Sequence, residues 1–348
     1  MSIKFKTSHT IVTAAVAFAV TVIVLGAFTR LVDAGLGCPD WPGCYGHALW
    51  PNSHDEITTA NEAFPDAPVE LDKTWPEMVH RYLATGLGLF TIVLAGVAIR
   101  NRKQGHPIKL PIFLLAFIIL QGMFGMWTVT LKLWPQIVTA HLMGGFTTFS
   151  LLWLLRLRLS NDPWQLNSAE RVWAKSIRPL AIASFIIVIL QIALGGWLTA
   201  NYADVACPDL PTCQNEWLPP MDFTTGFNLT QHIGPNYLGG VLDNEARVAI
   251  HFSHRIGAII TTIAVLLLSF SLLRQQSSRI ANLGKVLVAV LCLQVVLGLS
   301  NVYFNFPISV AVAHNIVGAT LLITMVTVLY RLYTVKDLNM ATEQRDSK

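Results

Sequence analysis

Ten histidines are spread over the 348 residues, and four of them, His80, His141, His254 and His314, recur at matched places in two halves of the chain. Each lies in or beside a long apolar stretch, where an unpaired polar side chain is expensive. One such imidazole alone is equally well explained by a hydrogen bond to a neighbouring helix. Two repeated pairs point further, because imidazoles on facing helices of a four-helix bundle are a standard supply of axial ligands for haem iron. Small residues beside them let a flat macrocycle slide between helices, and Gly86, Gly88, Gly144, Gly145, Gly257 and Gly318 each fall within eight residues of a histidine. Cations at the outer edge would neutralise two propionates. Arg81 and Arg255, each next to its histidine, are the candidates, with Arg30 as a third for which interfacial snorkelling is as good an explanation. Zinc competes for His251-x-x-His254, but two ligands with nothing nearby to complete a tetrahedron make a poor site. His9, His47, His54, His106 and His232 fall in predicted loops or tails, where exposure is expected.

The five cysteines form two pairs and one leftover. Cys38/Cys44 and Cys207/Cys213 are each six apart with two prolines between, and structural disulfides closing small loops are the main expectation in an oxidising compartment. A redox-active pair passing electrons is the sharper alternative. Cys292 falls mid-helix and is expected to pack in the core.

The elements that position these residues follow from composition. The chain is 53% hydrophobic and only 13% charged, with a mean hydropathy of +0.53. That charge cannot cover a globular surface, so the protein is read as integral to a membrane. Uncharged runs occupy 10–29, 82–99, 110–131, 133–155, 179–203, 256–273 and 286–330, and the last, 45 residues long, divides at Asn301–Pro307. Eight transmembrane helices result. The first is read as a retained helix, because Gly26-Ala-Phe28 offers no cleavage site before Arg30. With the N-terminus inside, only Arg30, Lys73, Arg81, Lys132, Arg247 and Arg255 of the 24 basic residues fall outside, which places both termini in the cytoplasm. The other basic residues include Lys4, Arg345 and Lys348 at the two ends. The net charge of +4 reports this topology and gives no reason to expect nucleic acid.

The chain also repeats itself. Cys38-Pro-Asp-Trp-Pro-Gly-Cys44 returns as Cys207-Pro-Asp-Leu-Pro-Thr-Cys213, His80-Arg81 as His254-Arg255, and the stretch Gln121–Gly125–His141 as Gln294–Gly298–His314. Four helices per copy give both copies the same orientation, so the repeats are parallel. The expectation is an all-α integral membrane protein of two parallel-repeat four-helix bundles. These are an N-terminal bundle over 1–159, a linker over 160–178 with Ser160–Lys175 as its polar part, and a C-terminal bundle over 179–348. External loops span roughly 31–76 and 204–247. One position breaks the repeat: Glu77 aligns with His251, and a carboxyl one turn from His80 is a candidate general base or counter-charge, against the plainer reading that it pairs with Arg81 or caps the helix.

The duplicated unit, the Glu77-Met-Val-His80-Arg81 motif, the single histidine in the fourth and eighth helices and the CPDxPxC loops together resemble the haem A synthase family, in its cysteine-bearing branch. The resemblance covers essentially the whole chain. It implies a haem b cofactor in the C-terminal bundle on His254 and His314, with His251 beside them. It implies a substrate site in the N-terminal bundle on His80, His141 and Glu77. The substrate would be haem O and the product haem A, with the carbon-8 methyl oxidised to a formyl group for use in terminal oxidases. It implies a bacterial plasma membrane, and a haem O synthase and oxidase assembly proteins as partners besides membrane lipid. A dihaem electron-transfer cytochrome and a haem transporter or chaperone are the competing readings. The cytochrome has no need of the Glu77/His251 break.

Overall fold

The computed structural model describes residues 5–160 and 162–337. Lys4, Arg345 and Lys348, used above for orientation, and Asn161 of the linker lie outside the described residues. The helices are α1 (Lys6–Leu31), α2 (His54–Ala63), α3 (Leu71–Arg100), α4 (Lys109–Thr130), α5 (Pro135–Ser160), α6 (Ser168–Ser176), α7 (Arg178–Ala200), α8 (Phe223–Gly226), α9 (Asn244–Leu273), α10 (Ser278–Tyr303) and α11 (Ile308–Tyr333). Eight of them, all but α2, α6 and α8, are long and apolar enough to cross a membrane. Helices satisfy every internal backbone group without water, which is why such runs fold this way in lipid. The chain is a multi-pass membrane protein. The polar helices α2 and α6 begin with a reciprocal capping box, Ser53 with Glu56 and Asn167 with Glu170.

The uncharged runs understate two helices. Helix α3 starts at Leu71 and α9 at Asn244, each a 30-residue helix about 45 Å long at 1.5 Å per residue. Their first three turns carry charge, Asp72, Lys73, Glu77 and Arg81 in one and Glu245, Arg247 and Arg255 in the other, so a search for uncharged stretches ends too early.

Helix neighbours follow the same order in both halves. In the first, α1 packs on α3 and α5, and α4 also packs on α3 and α5; in the second, α7 packs on α9 and α11, and α10 also packs on α9 and α11. The histidine-bearing helices, α3 with α5 and α9 with α11, thus lie across a diagonal in each half. Helices α1, α5, α7 and α11 meet along the seam between the halves. One apolar core runs through both, from Val12 and Ala15 to Leu152, Leu268 and Met325. It also takes in Trp164 and Leu166 of the linker, and the parallel strand pair β1 (Gln165–Leu166) with β2 (Lys336–Asp337) ties the linker to the segment after α11.

The repeat reaches the backbone. Asp33 and Tyr202 both have φ 55°, Lys132–Leu133 and Asn305–Phe306 both turn through positive φ, and Trp41-Pro42 and Leu210-Pro211 are both cis. At the cysteine-loop end the halves also interlock. Tyr237 N–H donates to the Lys132 carbonyl (3.1 Å), and Trp134 Nε1 donates to the Gln231 carbonyl (3.1 Å).

Several expectations fail. Cys292 is exposed on α10 instead of packing inside, because an apolar face turned to lipid is as hydrophobic as a core face and the sequence does not separate them. His106 is buried, with its Nε2 2.8 Å from Ser8 Oγ and its ring 4.5 Å from that of Phe5. The turn after α3 folds back onto the start of α1. His9 belongs to α1 and is half-buried, as is His47, while His54 and His232 are exposed.

Candidate functional site

The structure brings His80 and His141 together across the first diagonal, with ring centroids 6.4 Å apart and planes at 89°. Two imidazoles bound end-on to one ion through bonds of about 2 Å would have ring centres about 6 Å apart, so this spacing suits axial ligation. Each of the four rings lies against a glycine of a neighbouring helix. A Cβ on Gly26, Gly125, Gly195 or Gly298 would stand 2.7, 3.2, 3.1 or 3.1 Å from Cε1 of His80, His141, His254 or His314. These glycines cradle the rings and are not the expected ones.

The expected glycines do something else. A Cβ on Gly144 or Gly257 would stand 1.9 or 2.2 Å from Oε1 of Gln121 or Gln191, and one on Gly318 would stand 3.3 Å from Nε2 of Gln294. Gly145 also faces Gln121 at 3.7 Å, Gly86 faces Phe18 at 3.1 Å, and Gly88 has nothing within 4 Å. Thus Gly144, Gly257 and Gly318 seat glutamines, and the glutamines touch the histidines. Gln121 Nε2 lies 3.0 Å from His141 Nδ1, Gln191 Nε2 3.1 Å from His254 Nδ1, and Gln294 Nε2 3.2 Å from His314 Nε2. A signal for this was present: glutamine four residues before glycine occurs at 121/125, 191/195 and 294/298.

The His-Arg pairs do a second task. Arg81 donates to the carbonyls of Asp40 (3.0 Å), Pro42 (3.2 Å) and Gly43 (2.6 Å), and Arg255 to those of Cys207 (2.7 Å) and Thr212 (2.7 Å). Each arginine therefore pins the cysteine loop of its own half over its histidine helix. Those loops are closed by Cys38–Cys44 and Cys207–Cys213, with S–S distances of 2.02 and 1.94 Å. Asp40 and Asp209 each accept from two backbone N–H groups inside their loops. The Thr212 hydroxyl, ahead of those backbone N–H groups, holds the Asp209 carboxyl below the usual range. Burial pushes the Tyr45 phenol up to about 12, so it stays protonated as it donates to the Pro68 carbonyl.

Glu77 is 5% exposed. One carboxylate oxygen accepts from Arg81 and the other from the Cys38 N–H (2.9 Å), which joins the cysteine loop to the His80 helix. His251 occupies the matching place, and its Nδ1 donates to the Ala203 carbonyl (2.8 Å). Arg30 reaches across the seam, donating to the Thr199 carbonyl with its guanidinium 4.0 Å from the Tyr202 ring centre. Among the described residues, Nε of Arg30 and of Arg255 and Nδ1 of His80 and of His314 are buried with no hydrogen-bond partner. Two cationic donors and two imidazole nitrogens left so are costly. A ligand with carboxylates would satisfy the two arginine donors.

Comparison with known proteins gives a consistent picture. The chain is 45% identical over 91% of its length to the haem A synthase of Shewanella oneidensis, covering 94% of that protein. It is 29% identical to the haem A synthase of Rhizorhabdus wittichii, over 86% of this chain and 87% of that one. It is 25% identical to that of Halalkalibacterium halodurans, over 88% and 90%. The model of the cytochrome oxidase assembly protein family (COX15-CtaA) matches residues 9–326, and the chain belongs to that family.

Proposed function

We propose that the protein is a haem A synthase, an oxidoreductase that converts the carbon-8 methyl of haem O to the formyl of haem A. The observation that carries the reading is the 45% identity to a haem A synthase along nearly the whole chain. The paired imidazoles agree with it: two diagonals of half-buried rings, each ring with a glycine against its Cε1 edge, suit two haem groups. In this reading the units are 1–159, holding substrate haem O on His80 and His141, and 179–348, holding a resident haem b on His254 and His314, joined by 160–178. When bound, haem b supplies one-electron redox chemistry. The protein's share is positioning and charge.

His80 and His141 hold the substrate iron and so fix where the macrocycle's edge lies. Glu77, one turn from His80, is assigned to the reaction as base or counter-charge. Its contacts with Arg81 and Cys38 hold it in one orientation. Arg30 and Arg255 have buried Nε donors free to meet propionates. Arg81, the third propionate candidate, has its donors on loop carbonyls and Glu77 and serves by holding the loop over the site. The distribution of basic residues supports a reading with both termini in the cytoplasm of a bacterial plasma membrane, where a haem O synthase and oxidase assembly proteins are the fitting partners. Pigment extraction from purified protein tests the reading. Haem B together with haem O, an oxidised intermediate or haem A supports it; two equivalents of haem B and nothing else refute it.

A further inference from the structure

Three of the four imidazoles share an arrangement that the fourth lacks. Gln121, Gln191 and Gln294 each rest against a glycine and place an amide beside His141, His254 and His314. At His80 the place of Gln191 is taken by Val22, and that of Gly257 by Leu83. This correspondence is structural as well as sequential: Gly26, four residues after Val22, contacts His80 as Gly195, four after Gln191, contacts His254. The glutamine and its glycine seat have been exchanged together. No side-chain amide meets His80, whose Nδ1 is buried without a hydrogen bond.

All three glutamines also share an oddity. Each Oε1 is buried with no partner among the described residues, while each Nε2 approaches its histidine. A buried amide oxygen without a donor is costly. An imidazole that binds a metal through one nitrogen carries its proton on the other and must donate it. A half-turn of the glutamine amide then presents Oε1 to that N–H, in exchange for the bonds that Nε2 of Gln121 and Gln191 otherwise donates to the His141 (2.6 Å) and His254 (3.0 Å) carbonyls. An amide can serve either tautomer in this way, because it holds a donor and an acceptor on one short fork.

We propose that Gln121, Gln191 and Gln294 are positioning residues that hold iron-bound His141, His254 and His314 through the imidazole N–H, and that Val22 and Leu83 make His80 the one weakly held, exchangeable ligand. The inference rests on the haem reading above and deepens it. A resident haem has both imidazoles supported, by Gln191 and Gln294. A haem that must enter as substrate and leave as product has one supported by Gln121 and one with only the Val22 backbone, and no side-chain amide, beside it. Turnover requires release, and the repeat has lost its glutamine at the diagonal assigned to the substrate.

The test uses the full-length protein loaded with haem B, measuring haem loss to excess apomyoglobin and the midpoint potential. Wild-type protein should lose haem in two phases, the fast one being that removed by His80→Ala. Gln191→Leu keeps the bulk and deletes the acceptor; it should speed the slow phase about 10–100-fold, the usual cost of losing an outer partner of a metal-bound histidine. It should also raise the potential, since a less basic imidazole stabilises oxidised iron less. Gln191→Glu, which keeps an acceptor, should restore slow loss and bring the potential to or below that of wild type, which a packing effect does not do. Val22→Gln with Leu83→Gly should slow the fast phase towards the slow one. Equal loss from both halves in wild type, an unmoved potential in Gln191→Leu, or an unmoved fast phase in the double variant overturns the proposal. Failure of the haem reading itself looks different: the spectrum would survive both His80→Ala and His254→Ala.

Discussion

The two halves of the chain share one helix arrangement and differ at several positions around the histidines. Both have a histidine diagonal, a glycine against each ring, an arginine holding a closed cysteine loop and the same unusual backbone turns. The first half has Glu77 where the second has His251, Val22 where it has Gln191 and Leu83 where it has Gly257. Glu77 and His251 are buried, and Val22, Gln191, Leu83 and Gly257 are half-buried. The scaffold is shared, and the differences fall on groups within reach of the imidazoles, as expected if one frame serves two haem groups with different fates.

The largest effect that would break this comparison comes from the histidines. His254→Ala or His314→Ala should abolish the stable low-spin b-type spectrum, while His80→Ala or His141→Ala should leave it largely intact and eliminate product. Equal loss of haem B in all four variants would end the division of labour. Next is Glu77→Gln, which keeps size and most hydrogen bonds. It should retain haem in both halves and accumulate haem O, with haem A formation down by about 10²–10⁴-fold, the range for loss of a general acid–base group. Haem A production at the wild-type level would remove Glu77 from the chemistry and leave it as a loop anchor.

A smaller effect belongs to the loops. Cys207→Ala with Cys213→Ala should lower the unfolding temperature and haem retention more than turnover per bound substrate. A disulfide typically contributes about 2–4 kcal/mol, and a loop this short gives less. Free thiols at all four positions in intact cells, read by alkylation, would contradict closed loops. The smallest effect is electrostatic. Asp209 has its carboxyl held low by Thr212 and the loop N–H groups, so its contribution is present above the ordinary carboxylate range and is lost as pH falls through the depressed value. Asp209→Asn should therefore flatten the acid side of the thermal stability profile; an unchanged acid slope would show that other carboxyls set it.

How much of this was legible follows from the kind of signal. The eight spans and the repeat were readable because membrane crossing needs long apolar runs and duplication leaves fixed offsets. The four histidines stood out because polar residues in such runs are rare. Which glycines meet which rings was not readable from proximity along the chain: Gly144 lies three residues from His141 yet seats Gln121, while Gly125, on another helix, meets the ring. Nor did composition show that Arg81 and Arg255 spend donors on loop carbonyls, since a cation at a membrane edge has the same sequence signature whether it snorkels, binds a carboxylate or pins a loop. The burial of His106 depended on a turn folding back onto α1, a contact between residues 98 positions apart.

The interlock at the cysteine-loop end has a consequence for how the protein is made. The Lys132 carbonyl and the Trp134 indole find partners only at Tyr237 and Gln231, some hundred residues later. A ribosome delivers the first half to the membrane well before those residues exist. For that interval the turn between α4 and α5 is uncovered, and Arg30 has neither the Thr199 carbonyl nor the Tyr202 ring. The newborn first half is thus an unfinished object in the bilayer, finished only when its younger copy arrives to cap it. Truncations that end before α9 should be degraded in the cell, and haem delivery before synthesis is complete would meet a first half whose α4–α5 turn has not yet found its partners.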